Sequence, residues 1–414
     1  MKVFERKLEK KIEKFIDRRE IIGIRGPRQS GKTTLLKMIF NKINTNRAFI
    51  NMDRPDLRKS FETNPITFVK RFKDKGKLFL FLDEVQRVKN AGEYLKIIYD
   101  EFQDVKIFFS GSSSLEMKTN ILPFLVGRLF LFNLYTFDFE EFVGSKDKGM
   151  VKVFRELNKS VTDSINGHDE PSPPVFDNEF LELWKEYAVF GGYPEVVKAR
   201  DVETKITILK NIHNLYIERD VVSFFGIEET SKFDEFVKYL AFNISSILSL
   251  SNISSDLKIS YRKVEEFLSI LQHTYIVSLL KPLHKNLVTE IRKAPKLYFL
   301  DLGLRNSVLD NFVVFDNRTD RGEIMENFIF RELLPFEGLN YWRTTGKAEV
   351  DFVIKENEYI IPVEVKMSGE KLTRGFHSFL RAYKPEKAFI VTLDTFKKQK
   401  IMETNIYWVP VWYF

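Results

Sequence analysis

The chain has 414 residues, of which 44% are hydrophobic and 14% aromatic, a composition that excludes a disordered protein and allows two or three domains with cores of their own. The lack of cysteine excludes disulfides and thiolate metal sites and is typical of a cytoplasmic protein, and no apolar run approaches the roughly 20 residues of a membrane span. We expect no membrane association. The formal net charge of +7 is unevenly distributed, which indicates an anionic partner such as nucleic acid, with solvated surface lysines as the alternative.

The first elements of the chain predict a surface helix followed by a sheet. Residues 3–18 carry apolar side chains at helical spacing, with Glu5, Glu9 and Glu13 aligned on another face of the helix. Strand candidates follow at residues 47–52, 78–82, 105–109 and 129–134. Helical stretches separate them, which indicates a parallel sheet covered on both faces. In such a sheet, ligands bind at the carboxyl ends of the strands.

A phosphate-binding motif follows the apolar run at residues 21–24 and opens a helical stretch. Residues Gly26–Thr33 match G-x-x-x-x-G-K-[ST] in the strand–loop–helix setting that this motif requires. Backbone N–H groups of such a loop surround the phosphates, Lys32 would reach the β- and γ-phosphates, and the Thr33 hydroxyl would bind Mg²⁺. The residues predicted to contact ATP here are Gly26, Pro27, Arg28, Gln29, Ser30, Gly31, Lys32, Thr33 and Thr34.

Two carboxylates follow the apolar run at 78–82. Asp83 is predicted to hold the Mg²⁺ shell together with Thr33, and Glu84 to polarise the attacking water. An acidic pair at this distance after a P-loop predicts an enzyme that hydrolyses ATP, with ATP and Mg²⁺ as ligands and with Lys32 and Glu84 as catalytic residues.

Serines after the strand at 105–109 are candidates for a further nucleotide contact. Ser110 or Ser112 would sense the γ-phosphate, because the carboxyl end of this strand is predicted to face the same edge of the sheet as the P-loop. A flexible serine turn without a role in binding is the other interpretation.

An arginine directly precedes the last predicted strand of the core. In ring-forming AAA+ ATPases an arginine at this place often reaches the γ-phosphate of a neighbouring subunit, so Arg128 is a candidate catalytic residue acting in trans. This interpretation implies a homo-oligomeric ring. A surface arginine is the alternative.

The segment after the core has a different composition. Residues 144–178 are polar and interrupted by proline, which predicts a mobile loop or insertion. Helical periodicity returns near Phe180 and again at 203–225, which favours a helical lid on the ATPase core. We therefore assign residues 1–143 to the core and residues 144–230 to the insertion and lid.

Residues 231–305 predict a winged helix. A helix at 233–248 and another that begins at Tyr261, capped by Ser260, precede two strand-like segments. The second helix would enter the major groove of DNA and present Tyr261, Arg262 and Lys263. Ten Lys/Arg against six Asp/Glu in residues 231–300 support a nucleic-acid partner, whereas a protein contact is the alternative.

A second chemical site is predicted in residues 306–414. Asp351 lies on one strand and Glu364 and Lys366 on the next, with Glu326 on a preceding helix, which is the spacing of PD-(D/E)xK nucleases. Asp351 and Glu364 would bind Mg²⁺ from two sides, Lys366 would steer water, and Glu326 would complete the metal site. These groups are expected to converge on one face with few partners. A solvent-facing stripe is the alternative, and nuclease activity is left open.

The combination resembles a family of archaeal and bacterial AAA+ ATPases with a C-terminal PD-(D/E)xK domain. The segments that carry the resemblance are Gly26–Leu36, Leu82–Gln86, Phe109–Ser113, Gly127–Arg128, Gly191–Pro194, Tyr216–Asp220, Pro295–Gly303 and the set Asp351, Glu364 and Lys366. The resemblance implies a multidomain α/β protein: a P-loop core with a parallel sheet and helical lid, a winged-helix middle, and a nuclease-like α/β end. It also implies that Arg128 stands where that family keeps an arginine.

Two functional hypotheses follow from these patterns. The first is an ATP-driven protein that binds and processes DNA, as a translocase or remodeller, with or without metal-dependent cleavage. The second is a nucleotide-switched regulator whose C-terminal fold only binds DNA or a protein partner.

Overall fold

The computed structural model describes residues 4–112, 117–216, 229–283, 294–356, 359–368 and 371–414. The chain divides into two compact units. The first comprises the residues up to Thr136 together with Leu271–Tyr275, and the second comprises Phe137–Ile270 and Ile276–Phe414. Among the helices in the described ranges, none combines the length and apolar character needed to cross a bilayer.

The first unit contains the expected parallel sheet. Its helices are α1 (Lys7–Glu13), α2 (Lys32–Lys42), α3 (Pro55–Thr63), α4 (Pro65–Lys70) and α5 (Ala91–Glu101). Its strands are β1 (Ile21–Arg25), β2 (Arg47–Asn51), β3 (Leu78–Asp83), β4 (Val105–Gly111) and β5 (Leu129–Asn133). The order is β2-β3-β4-β1-β5, and every neighbouring pair is parallel. The sequence-based prediction of this sheet is confirmed.

Helices cover both faces of this sheet, which explains why β3 is apolar throughout. Leu80 and Leu82 belong to the core on one face, whereas Phe79 and Phe81 belong to the core on the other. Successive side chains of a strand point to opposite faces, so a strand buried on both sides has no polar position until its end. The first polar side chain of β3 is Asp83, at its carboxyl end.

The N-terminal helix is shorter than predicted. It ends at Glu13, because Phe15 packs onto the sheet with its ring centroid 4.7 Å from that of Phe130. The prediction that this helix lies on the surface with an acidic face is also partly wrong, because Glu9 is buried. Its Oε1 lies 2.8 Å from Lys42 Nζ. Pairing with that lysine offsets the cost of burying the carboxylate.

The second unit joins a helical region to two further sheets. Its helices are α6 (Phe139–Lys146), α7 (Met150–Ile165), α8 (Asp177–Phe190), α9 (Pro194–Lys198), α10 (Val202–Tyr216), α11 (Thr230–Phe242), α12 (Leu250–Leu257), α13 (Tyr261–His273), α14 (Leu302–Val308), α15 (Arg321–Leu333) and α16 (Arg374–Tyr383). Its strands are β6 (Val277–Leu280), β7 (Lys296–Phe299), β8 (Leu339–Arg343), β9 (Glu349–Glu356), β10 (Tyr359–Val365), β11 (Lys387–Thr392), β12 (Lys397–Ile401) and β13 (Thr404–Pro410).

The loop predicted at 144–178 is wrong for most of its length. Helix α7 runs through it and buries an apolar stripe formed by Val151, Phe154, Leu157, Val161 and Ile165. These residues recur every three or four positions, which places them on one helix face. The charged residues before this stripe and the prolines after it suggested a loop. The helix predicted at 203–225 corresponds to α10, which ends at Tyr216. Residues 217–225 lie outside the described ranges.

The helical region packs against the C-terminal part of the same unit. Phe328 of α15 lies between aromatic rings of α6 and α8, with centroid distances of 5.7 Å to Phe139 and 5.7 Å to Trp184. Asn306 of α14 donates hydrogen bonds to the Ala188 and Val189 carbonyls at the end of α8. Aromatic packing and buried hydrogen bonds therefore join segments that are distant in sequence.

The middle segment contains the two predicted helices, α11 and α13, and the predicted pair of strands, and it has a further helix, α12, between the two. Strands β6 and β7 pair antiparallel, with Val277 opposite Phe299. Ser260 Oγ accepts a hydrogen bond from the Lys263 amide at 3.2 Å, which confirms the predicted cap of α13. The helix predicted at 233–248 ends earlier, at Phe242.

The C-terminal sheet has six strands in the order β12-β13-β11-β10-β9-β8. Strands β8, β9 and β10 pair antiparallel, whereas β10, β11 and β13 pair parallel. The register that pairs Phe352 with Val363 brings Asp351 of β9 beside Glu364 of β10. The sheet thus juxtaposes two of the carboxylates that the sequence singled out.

Candidate functional sites

The loop between β1 and α2 has a backbone that only glycine permits at two positions. Gly26 has φ 156° and Gly31 has φ 96°, both on the side of φ space that L-residues avoid. A Cβ atom on Gly26 would lie 1.9 Å from the Leu134 carbonyl oxygen. The glycines therefore set the curvature of the loop, so that its N–H groups can surround a phosphate.

Lys32 lies inside this loop. Its side chain is buried, and Nζ donates hydrogen bonds to the carbonyl oxygens of Pro27 at 2.7 Å and Gly26 at 3.1 Å. Arg6, which the sequence analysis missed, contacts the same loop by donating to the Ser30 carbonyl at 2.7 Å, and also donates to the Tyr135 carbonyl at 2.7 Å. It stands before α1 with no motif around it, so only the tertiary structure reveals the contact.

Asp83 and Ser110 meet at the carboxyl edge of the sheet. Strand β4 lies between β1 and β3, and the prediction that placed Ser110 after this strand is corrected, because β4 continues to Gly111. Ser110 Oγ donates to the buried carboxylate of Asp83 and accepts a hydrogen bond from the Glu84 amide at 3.2 Å. Of the two sensor candidates, Ser110 is the one in contact with Asp83. Residues 113 and 114 of the serine run lie outside the described ranges.

Glu84 is held by Gln86, a residue to which the sequence analysis assigned no role. Its backbone is left-handed, with φ 56° and ψ 43°, which places it off the end of β3. Gln86 Nε2 donates to the Glu84 carboxylate and, at 3.0 Å, to Ser112 Oγ. A single amide thus connects the predicted catalytic carboxylate with the other sensor candidate. The available sequence signal was a polar side chain between the apolar residues Val85 and Val88.

Replacing Gln86 with alanine is expected to lower ATP turnover about tenfold, because the Glu84 carboxylate loses the donor that orients it. The dissociation constant for ATP should stay unchanged, since the side-chain amide of Gln86 donates to Glu84 and Ser112 and, among the described residues, not to the P-loop or Asp83. Steady-state turnover and nucleotide titration measure the two effects. Gln103→Ala, at an exposed glutamine before β4, is the matched control, and an equal loss in both variants would contradict a positioning role.

The donor set at this edge fits a nucleoside triphosphate with Mg²⁺. Thr33 lies in the first turn of α2, and the buried Asp83 supplies the hard oxygen ligands that Mg²⁺ prefers. Ser30 Oγ, within the loop, is buried without a hydrogen-bond partner in the described residues. The amino end of α2 adds its partial positive charge toward a bound phosphate.

Arg128 lies at the opposite edge of the same sheet. Its carbonyl accepts a hydrogen bond from the Ile21 amide at the start of β1, whereas the P-loop follows the end of β1. The guanidinium is partly exposed and forms an ion pair with Asp100, with Nε 3.1 Å from Oδ1. Arg128 therefore does not act on the nucleotide of its own chain, and a role in hydrolysis requires a neighbouring subunit.

The predicted DNA-reading residues begin α13. Tyr261 and Arg262 are exposed, whereas Lys263 is partly buried. Lys263 Nζ lies 5.5 Å from the Phe267 ring centroid and 3.6 Å from Glu229 Oε1. Two of the three side chains are thus presented to solvent, and the third is engaged with its own domain.

The C-terminal carboxylates lie close together and strongly perturb each other. Burial first, and the neighbouring Asp351 carboxylate second, raise the pKa of Glu326 to about 8 and that of Glu364 to about 8. Thr373 Oγ1 donates to Glu364 Oε1 at 2.9 Å, and the Val365 amide donates to Asp351 Oδ2 at 2.9 Å. Desolvated carboxylates at this spacing need a cation or protons to be stable.

The cation that neutralises these carboxylates is Lys296, to which the sequence analysis assigned no role. Its presence corrects the expectation that Glu326, Asp351 and Glu364 have few partners. Its side chain is 2% exposed, and Nζ lies 3.0 Å from Glu326, 2.7 Å from Glu349 and 3.3 Å from Asp351. Burial lowers the pKa of Lys296, but these three carboxylates outweigh burial and raise the pKa above its ordinary value. Lys296 and Tyr298 occupy alternate positions of the four-residue strand β7, and this was the available local signal in the sequence.

Lys366 is also placed differently from the prediction. Its Nζ donates to the Lys371 carbonyl at 2.6 Å and lies 4.0 Å from Glu364 Oε1.

Within the described ranges, no three or more Asp, Glu, His or Cys side chains are arranged to hold a metal ion together. The carboxylates in this arrangement do not fit Mg²⁺, because the Lys296 ammonium already contacts Glu326 and Asp351.

Comparison with protein families identifies the N-terminal domain. Residues 18–143 match the family model described as an AAA domain. Residues 181–313 match a domain of unknown function (DUF8612), and residues 321–414 match another (DUF4143). The N-terminal part of the chain is an AAA+ P-loop domain with a parallel sheet.

Alignments with similar proteins cover most of the chain. Uncharacterized protein MJ1544 of Methanocaldococcus jannaschii is 28% identical over 384 residues, which cover 89% of this chain and 80% of that protein. An uncharacterized protein of Haemophilus influenzae is 21% identical over 415 residues, covering 96% and 95%. Among solved structures, the Thermotoga maritima RuvB Holliday junction branch migration motor aligns with 66% of this chain and 89% of that chain, at 15% identity and a TM-score of 0.31.

Proposed function

We propose that this AAA+ protein hydrolyses ATP with Mg²⁺ and uses the energy to move along or remodel DNA. The observation that carries the proposal is the contact of Asp83 with Ser110. Both residues lie at the carboxyl edge of the sheet, which is the edge where the P-loop leaves β1. Lys32 and the loop amides would bind the phosphates, Thr33 and Asp83 would hold Mg²⁺, and Glu84 would polarise the attacking water. The bound metal would neutralise charge that develops on the phosphates.

DNA is the proposed substrate because of the middle segment. Helices α11–α13 followed by the β6–β7 hairpin have the element order of a winged helix, and the exposed Tyr261 and Arg262 begin the helix that such modules place in the major groove. The proposed domains are an ATPase core at 1–143, a helical lid at 144–230, a winged helix at 231–305 and a nuclease-like fold at 306–414.

A ring is the proposed assembly because Arg128 lies at the edge of the sheet opposite the P-loop of its own chain. In a head-to-tail ring, this guanidinium would meet the γ-phosphate of the next subunit and stabilise charge in the transition state. In the structure the Arg128 guanidinium forms an ion pair with Asp100, which it would exchange for the phosphate.

A nucleotide-switched regulator is the second candidate function. The observation that favours it is the hydrogen bond from Gln86 to the Glu84 carboxylate. In a switch this bond would withhold Glu84 from the attacking water, and Gln86→Ala would then raise ATP turnover instead of lowering it. Turnover of the wild type would be slow, and ATP binding rather than hydrolysis would control a partner.

DNA-dependent turnover separates the two functions. We expect single-stranded, duplex or branched DNA to raise ATP turnover by roughly tenfold, with a steep dependence on salt, because contacts to phosphates release counterions. Arg262→Ala should weaken this stimulation, whereas Lys232→Ala on α11 should not. A turnover that no DNA changes would overturn the DNA proposal and favour the switch.

A further inference from the structure

Lys296 is fixed in place by its backbone as well as by its side chain. It is the first residue of β7, where it pairs with Leu280 across the hairpin and forms a further bridge with Ile247. Its side chain extends into the C-terminal domain, where Nζ lies 5.7 Å from the ring centroid of Tyr341. A buried lysine held in this way has little freedom to withdraw.

The carboxylate oxygens near Lys296 are used by groups of the protein itself. Glu326 Oε1 accepts from Lys296 at 3.0 Å and from the Tyr298 hydroxyl at 2.7 Å. Asp351 accepts from Lys296 through Oδ1 and from the Val365 amide through Oδ2. In contrast, Glu364 Oε2 is buried and has no hydrogen-bond partner among the described residues.

We propose that Lys296 is a built-in counter-ion that takes the place of a divalent cation, so that the C-terminal domain binds its partner without metal and does not cleave DNA. A metal bound by Glu326 and Asp351 would have to displace the ammonium and leave it buried without its carboxylates, which is strongly unfavourable. Mg²⁺ also sheds its water reluctantly, which adds to the barrier. This inference is independent of the nucleotide chemistry proposed above.

Binding of Mn²⁺ to the nucleotide-free, full-length protein tests this directly, because bound Mn²⁺ disappears from the electron paramagnetic resonance signal of the free ion. The wild type and Asp351→Asn are expected to bind equal amounts of Mn²⁺. Lys296→Met, which removes the ammonium and keeps the length of the side chain, is expected to gain one Mn²⁺ per chain. Adding Asp351→Asn to Lys296→Met should abolish that gain.

Two results would overturn the inference. One is loss of a bound Mn²⁺ from the wild type on Asp351→Asn, accompanied by Mg²⁺-dependent DNA cleavage that the same variant abolishes. The other is a folded Lys296→Met protein that gains no Mn²⁺. If Lys296→Met does not fold, as judged by circular dichroism, the comparison of the wild type with Asp351→Asn still decides, since equal Mn²⁺ binding supports the counter-ion.

Discussion

Alanine in place of Lys32 is expected to lower ATP turnover by roughly 100-fold or more, because the only ammonium inside the P-loop motif is lost from the transition state. The buried Nζ donates to the Gly26 and Pro27 carbonyls, so it stands within the loop that would hold the phosphates. Phosphate release measured at saturating ATP gives the size of the effect. ATP affinity should fall as well, because the charge also contributes to binding the ground state.

Lys37→Ala is the matched control for this prediction. Lys37 lies on the same helix α2 but is exposed, with its Nζ 5.8 Å from the ring centroid of Phe49. Turnover of the control should stay close to that of the wild type. If Lys32→Ala keeps wild-type turnover in a folded protein, the P-loop is not the site of hydrolysis.

The candidate nucleotide site could be proposed from the sequence because its residue types and their spacing lie in short segments of the chain. Gly26–Thr33 requires glycine at positions where the backbone turns, and Asp83 is the first polar residue of a strand that is buried on both faces. Both patterns are local, and both elements belong to a sheet whose alternation with helices fixes the parallel topology. Because β1, β3 and β4 are parallel and lie side by side in the sheet, their carboxyl ends are found at the same edge.

The residues that were missed act across long distances in sequence. Arg6 reaches Ser30 and Tyr135, and Lys296 reaches Glu326 and Asp351, so neither contact leaves a local pattern. A lone lysine in a strand resembles any edge residue until the fold shows that its side chain is buried. Sequence spacing can therefore propose which carboxylates converge, but the fold decides which cation neutralises them.

Helix α7 was missed for a different reason. Its apolar stripe has clear helical spacing, but charged residues precede it and prolines follow it. Composition averaged over 144–178 therefore favoured a loop, although the periodicity within Met150–Ile165 was sufficient to predict the helix. Periodicity reports which face is buried, whereas composition reports only how polar a segment is.

Replacing Glu84 with glutamine is expected to lower ATP turnover by roughly 100-fold or more and to leave ATP affinity nearly unchanged. Glutamine keeps the size of the side chain but cannot accept a proton from the attacking water. The neighbouring Asp83, which would hold Mg²⁺, keeps its hydrogen bond from Ser110. Single-turnover hydrolysis and equilibrium binding of ATP measure the two quantities separately.

Glu93→Gln, at an exposed glutamate of helix α5, removes the same charge from the same domain and should leave turnover unchanged. Comparable losses in both variants would mean that Glu84 acts only through the net charge of the domain. Glu84→Gln also distinguishes the two candidate functions. A motor stalled with ATP bound should hold DNA but cease to move on it, whereas a switch should keep its ATP-dependent partner binding intact, because binding rather than hydrolysis carries its signal.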